Sequence, residues 1–445
     1  MRFRVALMVL CALLGAAAPA AAKGPSSRDA VRYTVKPRDT LFELSRAFLV
    51  PARTWQTLLP ISRARGPRQL PIGRTLDIPR AWLRFTPEQA RLASFRGAVS
   101  IENGGTRTAP AIGAMLAEGA RITTGANGFV TLILADQSRI TLPSQSTVRI
   151  GLLRRYRLAD TIDYRFDLER GRIDTKVTPI TSPSGRYHID TPLTMTAVRG
   201  TEFRVHYDDA ARASGTEVLE GTVEVTGAQS GKASYVSRGN GATSGTDGEV
   251  SLASLLPAPA LIDPGKVQSD DQVSFKVTPV PGAIAYRARL ATDAGFVDSF
   301  AEASSNDGTF TLADVPSGML FVRVSPIAGN GLEGEAQSYA FRRILASLHG
   351  LPVEHIADSY MFRWYGMGEG KRHYRLQVMQ GDPNSVPVVD EVGLEREESA
   401  VHSLRPGVYF WRVQLTQTDG DGLFQTWTPM DRFVVARTRG SARGK

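Results

Sequence analysis

From Phe95 to about Leu252 the chain alternates apolar and polar residues in short runs, each cut by glycine, aspartate or asparagine. "FVTLILADQSRITL" (129–142), "YRFDLERGRIDTKV" (164–177) and "TEVLEGTVEV" (216–225) are examples. A period of two places successive side chains on opposite faces, which is the pattern of a half-buried strand. Many such runs with turn residues between them argue for antiparallel or coiled β structure. The abundance of glycine (42 residues) and the modest aromatic content (8%) suit β modules with many turns.

The 445 residues are enough for three or four domains at about 100–200 residues each. The first 22 read as a secretory leader. Arg2 and Arg4 form a basic start, Val5–Leu14 an apolar run, and Ala20-Ala21-Ala22 a small-residue cleavage site. The apolar run is shorter than the roughly 20 residues a membrane span needs. The one cysteine, Cys11, lies inside this leader, so the mature protein is expected to hold no disulfide. Its domains must then fold on apolar burial alone. The formal net charge is +9. In an exported chain that balance faces anionic envelope polymers rather than nucleic acid. The expected location is the periplasm or cell envelope, with no membrane span once the leader is removed.

After a polar lead-in, residues 32–83 read strand, helix, helix, strand. Tyr33-Thr34-Val35 starts the unit, and Asp39 or Thr40 caps a helix bearing Leu41, Leu44, Ala47 and Phe48. Thr54, Trp55, Leu58 and Leu59 suggest a second helix, and Leu76-Asp77-Ile78 is the return strand. The motifs "DTLFELS" (39–45) and "LPIGRTLDIP" (70–79) resemble the LysM family. That resemblance implies a βααβ module that binds N-acetylglucosamine-containing glycans, usually peptidoglycan. Its groove would lie between Asp39, Thr40, Leu41 and Phe42 on one lip and Leu70, Pro71, Ile72 and Gly73 on the other. Arg38 stands where the family usually has glycine, and Ser62 lies near the place of its usual asparagine. Residues 84–91 read as a linker.

Residues 95–252 contain "AVRGTEFRV" (197–205) followed by "VLEGTVEV" (218–225), and resemble the FecR-type periplasmic domain. The resemblance implies a β-solenoid-like or jelly-roll module for protein contacts. The family's sigma-regulating segment would sit where this chain has its leader, so that role is not carried over. Arg199, Gly200, Thr201, Phe203, Glu220 and Gly221 are read as architectural. Two geometries fit Arg199-Gly200. With unbroken alternation, Met195, Ala197, Arg199, Thr201, Phe203 and Val205 share one face, and a partly buried Arg199 pairs with Glu220 or Glu202. With a bulge at Gly200, parity flips, Val198, Phe203 and Val205 face the core, and Arg199 faces solvent. The first is preferred, because a buried arginine needs a carboxylate and acidic residues follow. The turn Asp136-Gln137-Ser138 has Gln in place of the family's Gly, and a different turn type is expected there.

"PAPALIDPG" (257–265) is a linker. Beyond it, residues 273–293 match 360–382, and 315–334 match 404–425, an offset of about 90 residues, the size of a small sandwich domain. Tyr286 pairs with Tyr374 and Arg323 with Arg412. The two units, 266–345 and 353–437, resemble fibronectin type III-like sandwiches. Trp411 and Trp427 are expected in the core, and the tail from Thr438 is expected to be loose and basic. "GMGEGK" (366–371) and "DGDG" (419–422) are read as hairpin turns. The six histidines show no metal-site spacing, and no nucleophile elbow or zinc-protease helix occurs. The expectation is a mainly β, multidomain protein without enzymatic activity, metal or cofactor. Its partners would be peptidoglycan and an unidentified envelope protein. The alternative is a periplasmic sensor or regulator acting through the FecR-like region.

Overall fold

The computed structural model describes residues 29–419 and 422–436. The expected leader with Cys11, the lead-in up to residue 28, the tip of the 419–422 turn and the basic tail lie outside the described residues. The protein is mainly β, with two short helices near its N-terminus. It divides into two compact units. One holds the residues up to Thr86 together with Arg155–Ile162 and Ser182–Gly185, and the other holds the rest.

In the first unit, strands Ala30–Thr34 and Thr75–Pro79 pair antiparallel, with Val31 opposite Ile78. Helices Leu41–Phe48 and Trp55–Ser62 lie between them in sequence. The first helix starts at Thr40 because the Thr40 hydroxyl accepts the Glu43 N–H at 3.1 Å, while the Glu43 carboxylate accepts the Thr40 hydroxyl. The capping residue is therefore Thr40, not Asp39. Leu41, Leu44, Leu58, Leu76 and Ile78 form the core, and Tyr156 and Leu158 complete it. Those two residues come from the segment 155–162, which sequence proximity alone would have placed elsewhere. The left-handed backbone of Arg63 (φ 48°) ends the second helix. Arg38 itself takes φ 77°, which explains why glycine is the usual residue at this position.

The second unit begins with two large sheets. One runs, in pairing order, Met115–Leu116, Ala90–Arg96, Phe129–Ile133, Arg139–Leu142, then Thr161–Lys176, Glu202–Asp208, Ala213–Glu220, Asn240–Ser244 and Val250–Ser254. The other joins Val99–Asn103 to Arg121–Thr124, and Arg121–Thr124 to Thr147–Tyr156. It continues through Arg186–Asp190, Thr194–Val198, Thr222–Gly227 and Ala233–Ser237. The strand Thr161–Lys176 serves both. Residues 163–167 pair parallel with 186–190, and residues 171–176 pair antiparallel with 202–207. Gly171 (φ 83°) sits where it changes sheets; a Cβ there would meet the Gln145 carbonyl oxygen at 2.5 Å. Residues 84–91, read as a linker, instead contain the strand Phe85–Pro87 and the start of Ala90–Arg96.

The preferred geometry for Arg199-Gly200 is overturned. Val198, Phe203 and Val205 are buried, Arg199 is exposed, and Gly200 takes φ 108°. The physical reason is that no single strand runs through the motif. Thr194–Val198 pairs in one sheet and Glu202–Asp208 in the other, so Arg199-Gly200-Thr201 is the corner between them. The register shift lies just beyond, where Glu202 faces Glu220 but Phe203 faces Val218, leaving Leu219 as the extra residue. Glu220 is exposed and Glu202 pairs instead with Lys176 at 2.9 Å. Gly221 (φ 83°) closes the second corner against the first: a Cβ there would stand 2.6 Å from Thr201 Cγ2. The Gln137 expectation also fails. Gln137 takes φ 69° in a tight turn closed by Gln137 N–H to the Leu134 carbonyl at 3.0 Å. The Asp136 carboxylate holds this turn by accepting the Ser138 N–H and hydroxyl.

Two sandwiches follow. The first packs Val273–Lys276 and Thr309–Leu312 against a four-stranded sheet ordered Ser299–Ser305, Ala283–Ala291, Gly318–Ala328, Gln337–Arg343. In the second, Ser359–Gly368 is central to one sheet and Lys371–Gln380 pairs with Gly407–Asp419 in the other. The repeat is visible in the core: Tyr286 and Tyr374 are both buried. Trp411 is buried as expected, but Trp427 is only half-buried, with the Arg412 guanidinium over its ring at 4.2 Å. "GMGEGK" is not a hairpin. Its flanking strands pair with different neighbours, so it carries the chain from one sheet to the other. Asp419 does pair with Gly422 across a hairpin.

Gly200→Ala should destabilise the FecR-like region by about 2–4 kcal/mol, since a side chain would add left-handed strain and meet Pro179 Cα at 2.6 Å. Gln137→Gly should do the reverse and stabilise by roughly 0.5 kcal/mol by relieving φ 69°. Thermal unfolding midpoints of the two variants, moving in opposite directions, check both.

Candidate functional site

The two expected glycan lips of the first unit are stitched together by backbone. Leu41 N–H donates to the Pro67 carbonyl at 2.9 Å, and Gly73 N–H to the Val35 carbonyl at 2.9 Å. Asp39 serves this frame: its carboxylate accepts the Tyr33 hydroxyl and the Lys36 N–H, each at 2.7 Å. Burial first, then that carboxylate, push the Tyr33 hydroxyl well above its ordinary range. Leu41 and Leu70 are core residues, and Thr40 is occupied as the helix cap. What faces solvent is Phe42 (55% exposed), Ile72 (67%), Pro71 and the backbone at Gly73 (φ 78°). Two large exposed apolar side chains, with polar residues around them, offer the kind of apolar surface on which a sugar ring can rest. Near the place of the family's asparagine, the Ser62 hydroxyl accepts the Ala64 N–H at 3.1 Å.

The second unit holds a charged contact between the FecR-like sheets and the first sandwich. Its centre is Glu333, on the loop after Gly318–Ala328. The Arg204 guanidinium donates to Glu333 Oε1 at 2.9 Å and to the Glu333 and Gly334 carbonyls, each at 2.6 Å. Arg287 reaches Oε2 at 2.7 Å and Arg172 reaches it at 3.3 Å. The Ser325 hydroxyl adds a bond at 2.7 Å. Arg289 pairs with Asp174 at 2.6 Å and with Glu302 at 3.3 Å, and Arg172 also meets Glu302. Glu217 accepts the Glu333 N–H at 3.1 Å and faces His206 Nδ1 at 3.0 Å. A second clamp lies nearby, where Asp298 of the sandwich takes Ser94 at 2.7 Å and Arg96 at 2.6 and 2.8 Å.

Burial would raise the Glu333 carboxyl, but Arg287, then Arg204 and Arg289, overcome it and hold the group far below the usual carboxylate range. Burial dominates at Glu302 and pushes it up despite Arg289. The hydrogen bond from Arg96 brings Asp298 down to about 2. Sequence reasoning located none of these partners. Arg204 and Glu217 lie inside the motifs already singled out, but nothing in the sequence tied them to Glu333 more than a hundred positions away. The only signal was that Arg204 is a charge set between the apolar Phe203 and Val205.

His206 gives this contact a pH dependence. Burial lowers its proton affinity, but the Glu217 charge and hydrogen bond, with Glu333, raise it above the ordinary 6.5. A histidine whose folded value is raised contributes stability below its unfolded value and loses it as pH rises through the folded one. Wild type should therefore exceed His206→Gln in thermal midpoint at pH 6, and the gap should close at pH 8.5. A gap that is constant across this range would rule the linkage out.

Two protein families match the chain: the LysM domain over residues 33–79 and the FecR protein family over residues 120–224. No curated protein matches it. Among solved structures, a candidate anti-sigma factor from Parabacteroides distasonis aligns with 16% identity over 30% of this chain at a TM-score of 0.26. The aligned part spans 59% of that protein's length. A two-domain fibronectin type III segment of chicken tenascin aligns over its whole length and 41% of this chain, with 13% identity and a TM-score of 0.22. The chain thus carries a LysM module and a FecR-type region, each covering less than half of it, and two β-sandwiches follow them.

Proposed function

We propose that this is an exported envelope protein that attaches to peptidoglycan through its LysM module and presents the FecR-type region and sandwiches for protein contacts, without a catalytic step of its own. The observation that carries the reading is the pair of exposed apolar residues, Phe42 and Ile72, on two lips tied to the frame by backbone hydrogen bonds, with Asp39, Thr40, Leu41 and Leu70 committed to the fold. Both matched domains are of non-catalytic kinds. Location in the periplasm or envelope follows from the leader-like N-terminus and from what a LysM module meets outside the cytoplasm. Among the described residues no helix is long and apolar enough to cross a membrane.

Co-sedimentation of the full chain with purified peptidoglycan tests this. Wild type should pellet, and Ile72→Asp and Phe42→Asp should each weaken binding about tenfold or more, the cost of burying an unpaired charge. Both positions are exposed, so folding should survive. Pelleting of the two variants equal to wild type would remove these residues from the site, and no pelleting of wild type would remove the reading.

The FecR match favours a second reading, a regulator that senses an envelope ligand and passes the signal to a separate partner. It requires deletion of the gene to alter the transcript profile; an unchanged profile would discard it.

A further inference from the structure

Beside the Glu333 cluster, the FecR-type sheets and the first sandwich enclose a cleft of 410 Å³. Most of its charges are spoken for: Arg204, Arg287, Arg289 and Lys176 all have carboxylate partners. Arg139 and Arg323 also line it, one from each side, and neither has a carboxylate at ion-pair distance among the described residues. Arg323 lies directly opposite Arg289 on the neighbouring strand, a like-charge pairing that costs stability. Its Nε donates to the Ser338 hydroxyl at 3.1 Å, which leaves both terminal nitrogens available. The guanidinium carbon lies over the Phe296 ring, 3.9 Å from its centroid. Burial, then the Arg289 charge, bring the Arg323 guanidinium down to about 10, so a cation is kept here against its surroundings.

Phe296 lines the same wall of the cleft. It is 2% exposed and takes φ 56°, a left-handed conformation rare for an aromatic residue. The Asp293 carboxylate fixes the loop around it by accepting the N–H groups of Gly295, Val297 and Asp298. The same loop brings Arg139 close: a methyl group added at Gly295 would stand 3.4 Å from Arg139 Nη1. Glu220 and Glu335 also line the cleft, but they lie toward Arg238. The Arg238 N–H binds the Gly221 carbonyl, next to Glu220, and a Cβ on Gly239 would be 4.0 Å from a Glu335 carboxylate oxygen. At the Arg139–Arg323 end, Asp174 and Glu202 face Arg323 and the Asp293 carboxylate lies beside Arg139, but these are bound to Arg289, to Lys176 and to the loop N–H groups, which leaves two guanidiniums there without a carboxylate at ion-pair distance among the described residues.

We propose that this end of the cleft binds an oxyanion, a carboxylate or a phosphate group, gripped between Arg139 and Arg323. Guanidinium forks suit both groups. A terminal peptide carboxylate and a phosphate monoester share this chemistry, and two probes separate them. The site is independent of the glycan reading, because the probes are soluble and the LysM lips take no part.

Isothermal titration of the full chain at low ionic strength, with inorganic phosphate and separately with N-acetylalanine, provides the test. At least one probe should bind, with Arg323→Met and Arg139→Met each weakening it about tenfold, the loss of one charge-assisted contact. The probe that binds names the source; binding of both assigns the site to oxyanions in general. Without a probe, Arg323→Met should keep or raise the thermal midpoint, since it removes an uncompensated cation. This separates a binding role from a structural one, and Arg139→Met, on the opposite wall, guards against misfolding of a single variant. The proposal is overturned if neither probe binds up to about 10 mM, the weak end of specific affinity. Binding that is unchanged in both variants overturns it equally.

Discussion

Glu333 is 9% exposed, and three arginines reach its carboxylate. Arg172 and Arg204 come from the FecR-type sheets, whereas Arg287 comes from the sandwich that also carries Glu333. Taking these charges out of water costs several kcal/mol per ion, and the mutual attraction returns roughly that much. The cluster therefore adds little net stability compared with an apolar contact. Its effect is on geometry. An apolar interface tolerates small slides, but a carboxylate shared among three guanidiniums, with its own backbone N–H on Glu217, has one arrangement in which no buried charge is stranded. The Asp298 clamp imposes the same condition at a second point. Together they fix the FecR-type sheets and the first sandwich as one body, and the oxyanion cleft exists only because that body does not slide.

Much of the fold was legible because it rests on local rules. Period-two alternation marked the strands, the helical spacing of Leu41, Leu44, Ala47 and Phe48 marked the first helix, and the tandem Tyr286 and Tyr374 marked the repeated sandwich. The LysM and FecR motifs were legible for a related reason: their glycines sit at corners where the backbone must be left-handed. Gly73, Gly200 and Gly221 all have positive φ. Even the departures obeyed the rule, since Arg38 and Gln137 take the left-handed conformations their glycine counterparts would.

What was not legible is non-local. A single strand and a corner between two sheets give the same alternating text, so the parity of Arg199 could not be decided from its neighbours. The segment 155–162 looked like any other stretch between strands, yet Tyr156 and Leu158 finish the core of the first unit. In the candidate glycan site, sequence resemblance picked out eight residues as equals. Burial separates them: Leu41 and Leu70 build the fold, Thr40 and Asp39 brace it, and Phe42, Pro71, Ile72 and Gly73 face solvent.

The stretch 202–208 shows how one strand can serve two purposes. Phe203, Arg204 and Val205 are buried in succession, which alternation alone would forbid for a strand with one wet face. Phe203 and Val205 belong to the interior of the sheets, and Arg204 points the other way, into the Glu333 cluster. The motif that makes the corner at Gly200 thus also supplies the cation that locks the sandwich in place. This face of the strand is therefore taken up by the sandwich. The sheet carrying Ala233–Ser237, where Tyr235 is 71% exposed, still offers free surface.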